Sequence, residues 1–182
     1  VAGSRGKGGA AVLVARGALR SGVGLVTVAT PATALPIVAS HQAEVMTEPL
    51  DETAEGAAAA TATARVLELA ATRDAIAIGP GLGTERGTAE MVAAVLAGRS
   101  CPAVVDADGL NALAAGGPDA VRAACPVGAP WVLTPHPGEA ARLLGTSASA
   151  IQNDRLGAAR RLAVATGAIV ASGPLEFWAR NE

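Results

Sequence analysis

The chain has 182 residues, of which 51% are hydrophobic and 16% are charged. This length and composition predict one globular domain with a substantial core and exclude a disordered chain. The net charge of −2 and the aromatic content of 2% provide neither the basic surface nor the base-stacking platform of a nucleic-acid-binding protein. No apolar run is long enough to span a bilayer, so we predict no membrane segment.

Apolar strands alternate with amphipathic helices along the chain. We predict strands over 25–30, 75–78, 103–106, 131–134 and 168–171, and helices over 9–21, 61–72, 85–97 and 149–166, with two more starting in ADGLNALAA and PHPGEAARLL. Residues 47–64 are predicted to be a surface loop that leads into a helix. The alternation is typical of an α/β fold with a parallel sheet covered on both faces. Since ligands bind beyond the carboxyl ends of such strands, the residues after three of them are expected to share one rim.

Glycines stand before two of the predicted helices. AGSRGKGGAA (2–11) combines four glycines with Arg5 and Lys7, and GPGLG (79–83) follows a strand. Glycines let the backbone approach a ligand, and helix N-termini favour anions. Neither motif is a Walker A loop or a dinucleotide fingerprint, because Gly8 follows Lys7 and Thr84 stands where the sixth position needs glycine. A flexible loop and a tight turn without a ligand remain the alternatives.

Polar residues follow two later strands. In VVDADGLNAL (104–113), Asp106 and Asp108 are two residues apart, as in pairs that hold Mg²⁺ or a ribose hydroxyl or exchange a proton. The alternative for Asp108 is helix capping. In TPHPGE (134–139), His136 as N-cap places Pro137 at N1 and Glu139 at N3, as in a capping box. Histidine is not a preferred cap, so we interpret His136 as a functional residue of the rim.

The order of these four motifs resembles the ADP/ATP-dependent NAD(P)H-hydrate dehydratase family over residues 1–171. The resemblance implies a ribokinase-like, three-layer α/β/α fold with a mostly parallel sheet, incomplete at its C-terminal end. It implies repair of NADH or NADPH hydrated at C6. The nucleotide, ADP or ATP with Mg²⁺, phosphorylates the 6-hydroxyl of the S form, and phosphate then leaves; ADP yields AMP and phosphate.

The resemblance also implies the binding residues for the NAD(P)H hydrate. They are the alanines of GGAA, the glycines of GPGLG and the histidine of TPHPGE, to which we add two polar residues of VVDADGLNAL. The full set of substrate-binding candidates is Ala10, Ala11, Gly81, Gly83, Asp106, Asn111 and His136. The metal ligands are left unassigned.

The chain departs from the family after GAIV (167–170). Members continue with a Leu-Lys-Gly segment and later a glycine-rich loop that carries the catalytic aspartate, whereas this chain ends in ASGPLEFWARNE. We therefore assign no catalytic residue, interpret 172–182 as a tail outside the family pattern, and expect no turnover from this chain alone. Asp106 and Asp108 do not match the position of the missing aspartate.

Two other functions remain open, a ribokinase-like small-molecule kinase and a non-catalytic dinucleotide-binding relic. The expected partner is a fused or separate NAD(P)H-hydrate epimerase. An incomplete sheet would expose an apolar edge, so we expect a homo-oligomer. Cys101 and Cys125 belong to no CxxC pair, which predicts reduced thiols and a cytoplasmic location. These motifs do not determine whether the hydrate of NADH (NADHX) or the hydrate of NADPH (NADPHX) is preferred.

Overall fold

The computed structural model describes residues 1–115, 121–122, 124 and 128–172, together with the backbone of 178–179. Cys125 and most of the predicted tail lie outside the described residues, while Cys101 is a buried free thiol. No helix in the described part of the chain combines the length and the apolar character needed to cross a membrane.

Strands and helices alternate as the sequence predicts. The strands are β1 (Thr27–Pro31), β2 (Met46–Leu50), β3 (Ile76–Ile78), β4 (Ala103–Val105), β5 (Trp131–Leu133), β6 (Ile169–Ala171) and β7 (Trp178–Ala179). The helices are α1 (Gly8–Arg20), α2 (Leu35–His41), α3 (Thr63–Ala70), α4 (Arg86–Gly98), α5 (Asp108–Ala114), α6 (Pro137–Leu144), α7 (Ala148–Asn153) and α8 (Arg155–Thr166). A 3₁₀ turn, Ala60–Ala62, precedes α3.

The strands form two sheets. One has the order β3-β4-β5-β6-β7, with parallel pairs except for the antiparallel β6-β7 pair, and the other pairs β1 with β2 in parallel. The predicted mostly parallel α/β fold is therefore confirmed. The N-terminal residues lie between the sheets, where the Ala2 N–H donates to Ala29 O (3.2 Å). In a parallel ladder, the Ala2 carbonyl would in turn accept a hydrogen bond from the N–H of residue 31, but Pro31 has no N–H to donate.

Two predicted boundaries were wrong. The segment predicted as loop from residue 47 begins with β2, because pairing with β1 along five residues outweighs the weak strand character of MTEPL. The helix predicted over 149–166 is two helices, interrupted at Asp154. That carboxylate accepts a hydrogen bond from the Gly157 N–H (2.9 Å) and so caps α8.

The main core lies on one face of the five-stranded sheet. Ile78, Val105 and Leu133 share a row of the register and are fully buried beneath the helices that follow them. A smaller cluster joins α1 and α2 to β1. Because β3, β4 and β5 are parallel, the loops after them emerge at one edge, as expected.

Candidate functional site

The glycine loop after β3 packs directly against the turn after β4. Gly79 has a φ of 131°, and a Cβ atom there would overlap Asp106 O and lie 2.7 Å from Gly109 N. The Asp106 N–H in turn donates to Ile78 O (3.1 Å). Only glycine permits this approach of two backbones, so the first glycine of GPGLG joins the two loops of the rim.

The same loop contacts the start of α1. A Cβ atom on Gly81, which has a φ of 69°, would lie 2.8 Å from Ala10 Cβ and 3.1 Å from Lys7 O. The Ser4 hydroxyl donates to Gly81 O (2.7 Å), and the Gly3 N–H donates to Pro80 O (2.9 Å). The two glycine-rich motifs therefore form one surface, built largely of backbone.

Helix α1 begins at this surface. Its N-cap residue, Lys7, makes no side-chain capping bond among the described residues. Gly9 is exposed and Ala10 is half-buried, whereas the Ala11 side chain is fully buried in the core. Of the two predicted alanines, Ala10 presents its side chain to the rim.

Asp108 connects three parts of the site. Its Oδ2 accepts from the Gly83 N–H (2.8 Å) and lies 3.4 Å from Lys7 Nζ, while Asn111 Nδ2 lies 3.5 Å from Oδ1. This cross-loop bonding replaces the alternative that Asp108 caps its own helix. Ala107, the preceding residue, has a φ of 50°, the single positive value for a non-glycine residue in the described part of the chain.

The network reaches α6 through Arg142, which donates from Nη1 to Asn111 Oδ1 (2.9 Å). Arg142 is exposed, and the Asn111 side chain is partly buried between it and Asp108. Lys7, Asp108, Asn111 and Arg142 thus form a continuous polar chain from the start of α1 to α6.

His136 caps α6, as the TPHPGE motif predicts. Its Nδ1 accepts from the N–H groups of Gly138 (2.9 Å) and Glu139 (3.3 Å), and Glu139 Oε2 accepts from the His136 N–H (2.9 Å). Our expectation that a histidine would cap this helix poorly was therefore wrong. Since Nδ1 is an acceptor, the proton of the neutral ring is on Nε2, 3.2 Å from Glu139 Oε1. The side chain remains 62% exposed, so the ring is accessible from solvent.

Glu139 is a buried carboxyl in this box, with 4% of its surface exposed. Burial raises its pKa above the ordinary value, and the nearby charge of Asp106 acts in the same direction. The hydrogen bond from the His136 N–H, together with the His136 and Arg142 charges, opposes the shift.

The structure brings most of the predicted residues to one rim. Ala10, Gly81, Gly83 and Asn111 are linked by direct contacts or through Asp108, and Asp106 is close enough to Glu139 to influence its pKa. Ser4 and Arg142 also contact the rim but were not among the predicted residues. Their contacts depend on tertiary placement, and no local pattern marks them.

The described residues contain no group of three His, Cys, Asp or Glu side chains arranged to hold a metal ion. The Asp108 carboxylate is already engaged by an N–H group and an ammonium group. We therefore assign no ligand to the metal and derive no step through it.

The fold and the glycine-lined rim define a ribokinase-like α/β protein. Residues 1–173 match the Carb_kinase family, described as NAD(P)H-hydrate dehydratase, and the chain belongs to this family. A bifunctional NAD(P)H-hydrate repair enzyme from Moorella thermoacetica is 47% identical over 163 residues. That match covers 90% of this chain and 30% of the relative.

Solved structures agree with the family. An ADP/ATP-dependent NAD(P)H-hydrate dehydratase from Bacillus subtilis, co-crystallized with ATP and Mg²⁺, is 28% identical with a TM-score of 0.71. The match covers 96% of this chain and 56% of that one. A ribokinase-like superfamily protein from Enterococcus faecalis shares the fold, with 22% sequence identity and a TM-score of 0.73. That match covers 95% of this chain and 56% of the other protein's chain. The chain thus spans about a third of its curated relatives and somewhat over half of the related structures.

Proposed function

We propose that this chain provides the hydrate-binding part of an ADP- or ATP-dependent NAD(P)H-hydrate dehydratase. In the reaction, the nucleotide phosphorylates the 6-hydroxyl of the (S)-hydrate, and loss of phosphate restores the nicotinamide ring. With ADP, the elements of water leave the hydrate within the phosphate, and AMP is the second product. Family membership favours this proposal over a ribokinase-like kinase.

The contact between Gly81 and Ala10 carries the proposal. The two motifs are 71 positions apart in sequence, yet a single added methyl group on Gly81 would lie 2.8 Å from Ala10 Cβ. The rim at this contact consists of backbone and one methyl group, so a large planar ligand can lie against it without displacing side chains. This surface fits a dinucleotide better than it fits a small sugar or alcohol.

The surrounding polar groups are proposed to orient the hydrate. Lys7 is half-exposed and weakly held at 3.4 Å from Asp108, so its ammonium group can turn to a phosphate of the dinucleotide. Asp106 and Asn111 supply oxygen atoms for ribose hydroxyls or the carboxamide. The exposed face of the His136 ring is proposed to pack against the hydrate, because its two nitrogens are engaged within α6.

The partner proposals follow from the same reaction. The relatives are named bifunctional repair enzymes, and we propose that an NAD(P)H-hydrate epimerase activity supplies the S form to this site. The homo-oligomer and the cytoplasmic location remain predictions. Sedimentation velocity and cell fractionation test them.

Calorimetric titration of the 182-residue chain with (S)-NADPH hydrate tests the function. We expect saturable one-to-one binding that is at least about tenfold tighter than binding of NADPH. In His136→Ala and Asn111→Ala, this affinity should fall, whereas Arg86→Ala, which removes an exposed i,i+4 ion pair on α4, should leave it unchanged. Equal affinity for the hydrate and NADPH, or no binding of either, would overturn the proposal.

A further inference from the structure

The Asn111 side chain lies between two groups of opposite charge. Its Oδ1 accepts from Arg142 Nη1 (2.9 Å), and its Nδ2 lies 3.5 Å from Asp108 Oδ1. A guanidinium group can only donate hydrogen bonds, and a carboxylate can only accept them. Turning the Asn111 amide over would place Nδ2 against the guanidinium group and Oδ1 against the carboxylate. The two neighbours therefore permit one orientation of the amide.

Arg142 is the more important of the two neighbours. Its bond to Asn111 is short, whereas the contact with Asp108 is at the limit of hydrogen-bonding distance. The Asp108 carboxylate is also engaged by the Gly83 N–H and by Lys7. Among the described residues, Asn111 is the one hydrogen-bond partner of the Arg142 side chain. The orientation of the amide thus depends mainly on Arg142.

The helices that carry Asn111 and Arg142 are fixed by the core. In α5, a Cβ atom on Gly109 would lie 2.9 Å from Ile78 O, and Leu110 and Leu113 are buried. In α6, Leu143 is fully buried next to Arg142. Both side chains start from rigid backbone, so the direction of the amide is what their contact adds.

The Asn111 amide keeps part of its hydrogen-bonding capacity for a ligand. A primary amide has two N–H donors and two acceptor lone pairs. The contacts with Arg142 and Asp108 use one lone pair and one N–H. One N–H and one lone pair remain, on a side chain that is partly buried at the rim.

We propose that Arg142 is a positioning residue of the hydrate site, which holds the Asn111 amide in the orientation that binds one polar group of the ligand. The inference rests on the proposed function. A ribose hydroxyl or the nicotinamide carboxamide suits the fixed amide, because each of these groups both donates and accepts. A phosphate group suits it less well, since it only accepts at neutral pH. Arg142 itself does not contact the ligand.

The side-chain amide signals of Asn111 test the positioning without any ligand. In the ¹⁵N-labelled 182-residue chain, we expect two resolved Nδ2 proton signals that exchange slowly with water. Arg142→Met should shift both signals and speed their exchange, and Arg142→Lys, which keeps a donor, should restore them in part. Arg161→Met is the matched control, because Arg161 is an exposed arginine of α8 that pairs with Asp154 (3.2 Å). It should leave the signals unchanged.

A double-mutant cycle tests whether the positioning serves ligand binding. Calorimetric titration with (S)-NADPH hydrate should show affinity about five- to tenfold weaker in Arg142→Met than in the wild type. In the Asn111→Ala background, adding Arg142→Met should cause no further loss, because the residue acts through Asn111. Arg142→Lys should recover part of the affinity, and Arg161→Met should keep all of it. Circular dichroism confirms folding, and Arg142→Ala replaces Arg142→Met if that variant does not fold.

Two outcomes would overturn the proposal. The first is a set of Asn111 side-chain signals that Arg142→Met leaves unchanged. The second is an equal loss of affinity on adding Arg142→Met with and without Asn111, which would show that Arg142 contacts the ligand directly. If the wild-type chain binds no hydrate, the proposed function fails, and the ligand-free signals still decide whether Arg142 orients Asn111.

Discussion

The two helices that begin at the rim, α1 and α6, satisfy their first turns in opposite ways. In α6, the His136 side chain accepts two N–H bonds and Glu139 returns one, so the turn is closed by its own residues. In α1, Lys7 provides no side-chain cap within the described residues, and glycines occupy the first two positions. An uncapped, side-chain-poor helix start leaves N–H groups for a ligand, whereas a capped start is a structural element.

The largest effect is expected where α1 meets the glycine loop. Gly81→Ala adds a methyl group 2.8 Å from Ala10 Cβ at a positive φ, so it should weaken hydrate binding at least tenfold and lower the free energy of unfolding by about 1–3 kcal/mol. Calorimetry and urea denaturation measure the two effects. Gly22→Ala is the matched control, because Gly22 also has a positive φ but no described atom within 4 Å of the added Cβ. Equal losses in both variants would remove the argument for a tight α1–loop contact.

Removing the cap of α6 should have the next largest effect on stability. His136→Ala leaves the Gly138 and Glu139 N–H groups without their acceptor, so the free energy of unfolding should fall by about 1 kcal/mol. Ser147→Ala is a reference for an ordinary cap, since Ser147 Oγ accepts from the Ala150 N–H at the start of α7. If the urea midpoint of unfolding of His136→Ala equals that of the wild type, the histidine does not cap the helix in solution.

The pH dependence of stability should report on Glu139. Its pKa is raised in the folded state, so its protonated form is favoured by folding. This contribution is complete below the pKa of the unfolded chain and is lost as pH rises through the raised folded value. In Glu139→Gln, the free energy of unfolding should therefore decrease less steeply with pH between the unfolded and the raised folded pKa of Glu139. An unchanged pH profile would show that the carboxyl is not buried as described.

The smallest effect on stability is expected at the start of α1. Lys7→Met removes a half-exposed ion pair and no cap, so the unfolding free energy should change by less than about 0.5 kcal/mol. Hydrate binding should nevertheless weaken, because the ammonium is proposed to contact a phosphate. A stability loss as large as that of His136→Ala would make the two helix starts equivalent.

The parts predicted from sequence depend on short-range patterns. Strands β3, β4 and β5 were predictable because they consist of apolar residues and are bounded by glycine or proline. They are followed by GPGLG, Asp106 and TPHPGE, respectively. The capping box was predictable because His136 and Glu139 lie only three positions apart in sequence. Strand β2 was not, since MTEPL has weak strand character and is stabilised by pairing with β1.

The polar contacts of the site could not be predicted in the same way. Whether Asp108 caps α5 or bonds to Gly83 depends on how two loops, 25 positions apart, are placed in three dimensions. The same holds for Arg142 and Asn111, which meet because α5 and α6 pack side by side. Sequence patterns identified the rim residues but not their partners.

The most direct test of the account is to record amide chemical shifts of the ¹⁵N-labelled chain while (S)-NADPH hydrate is added. We predict the largest shifts at Gly8, Gly9, Gly81 and Gly83, smaller shifts at Gly138, whose N–H donates to the His136 ring, and none at Gly167, which ends α8. Shifts concentrated at Gly138 and absent from the start of α1 would contradict the claim that the uncapped helix and the glycine loop form the hydrate site.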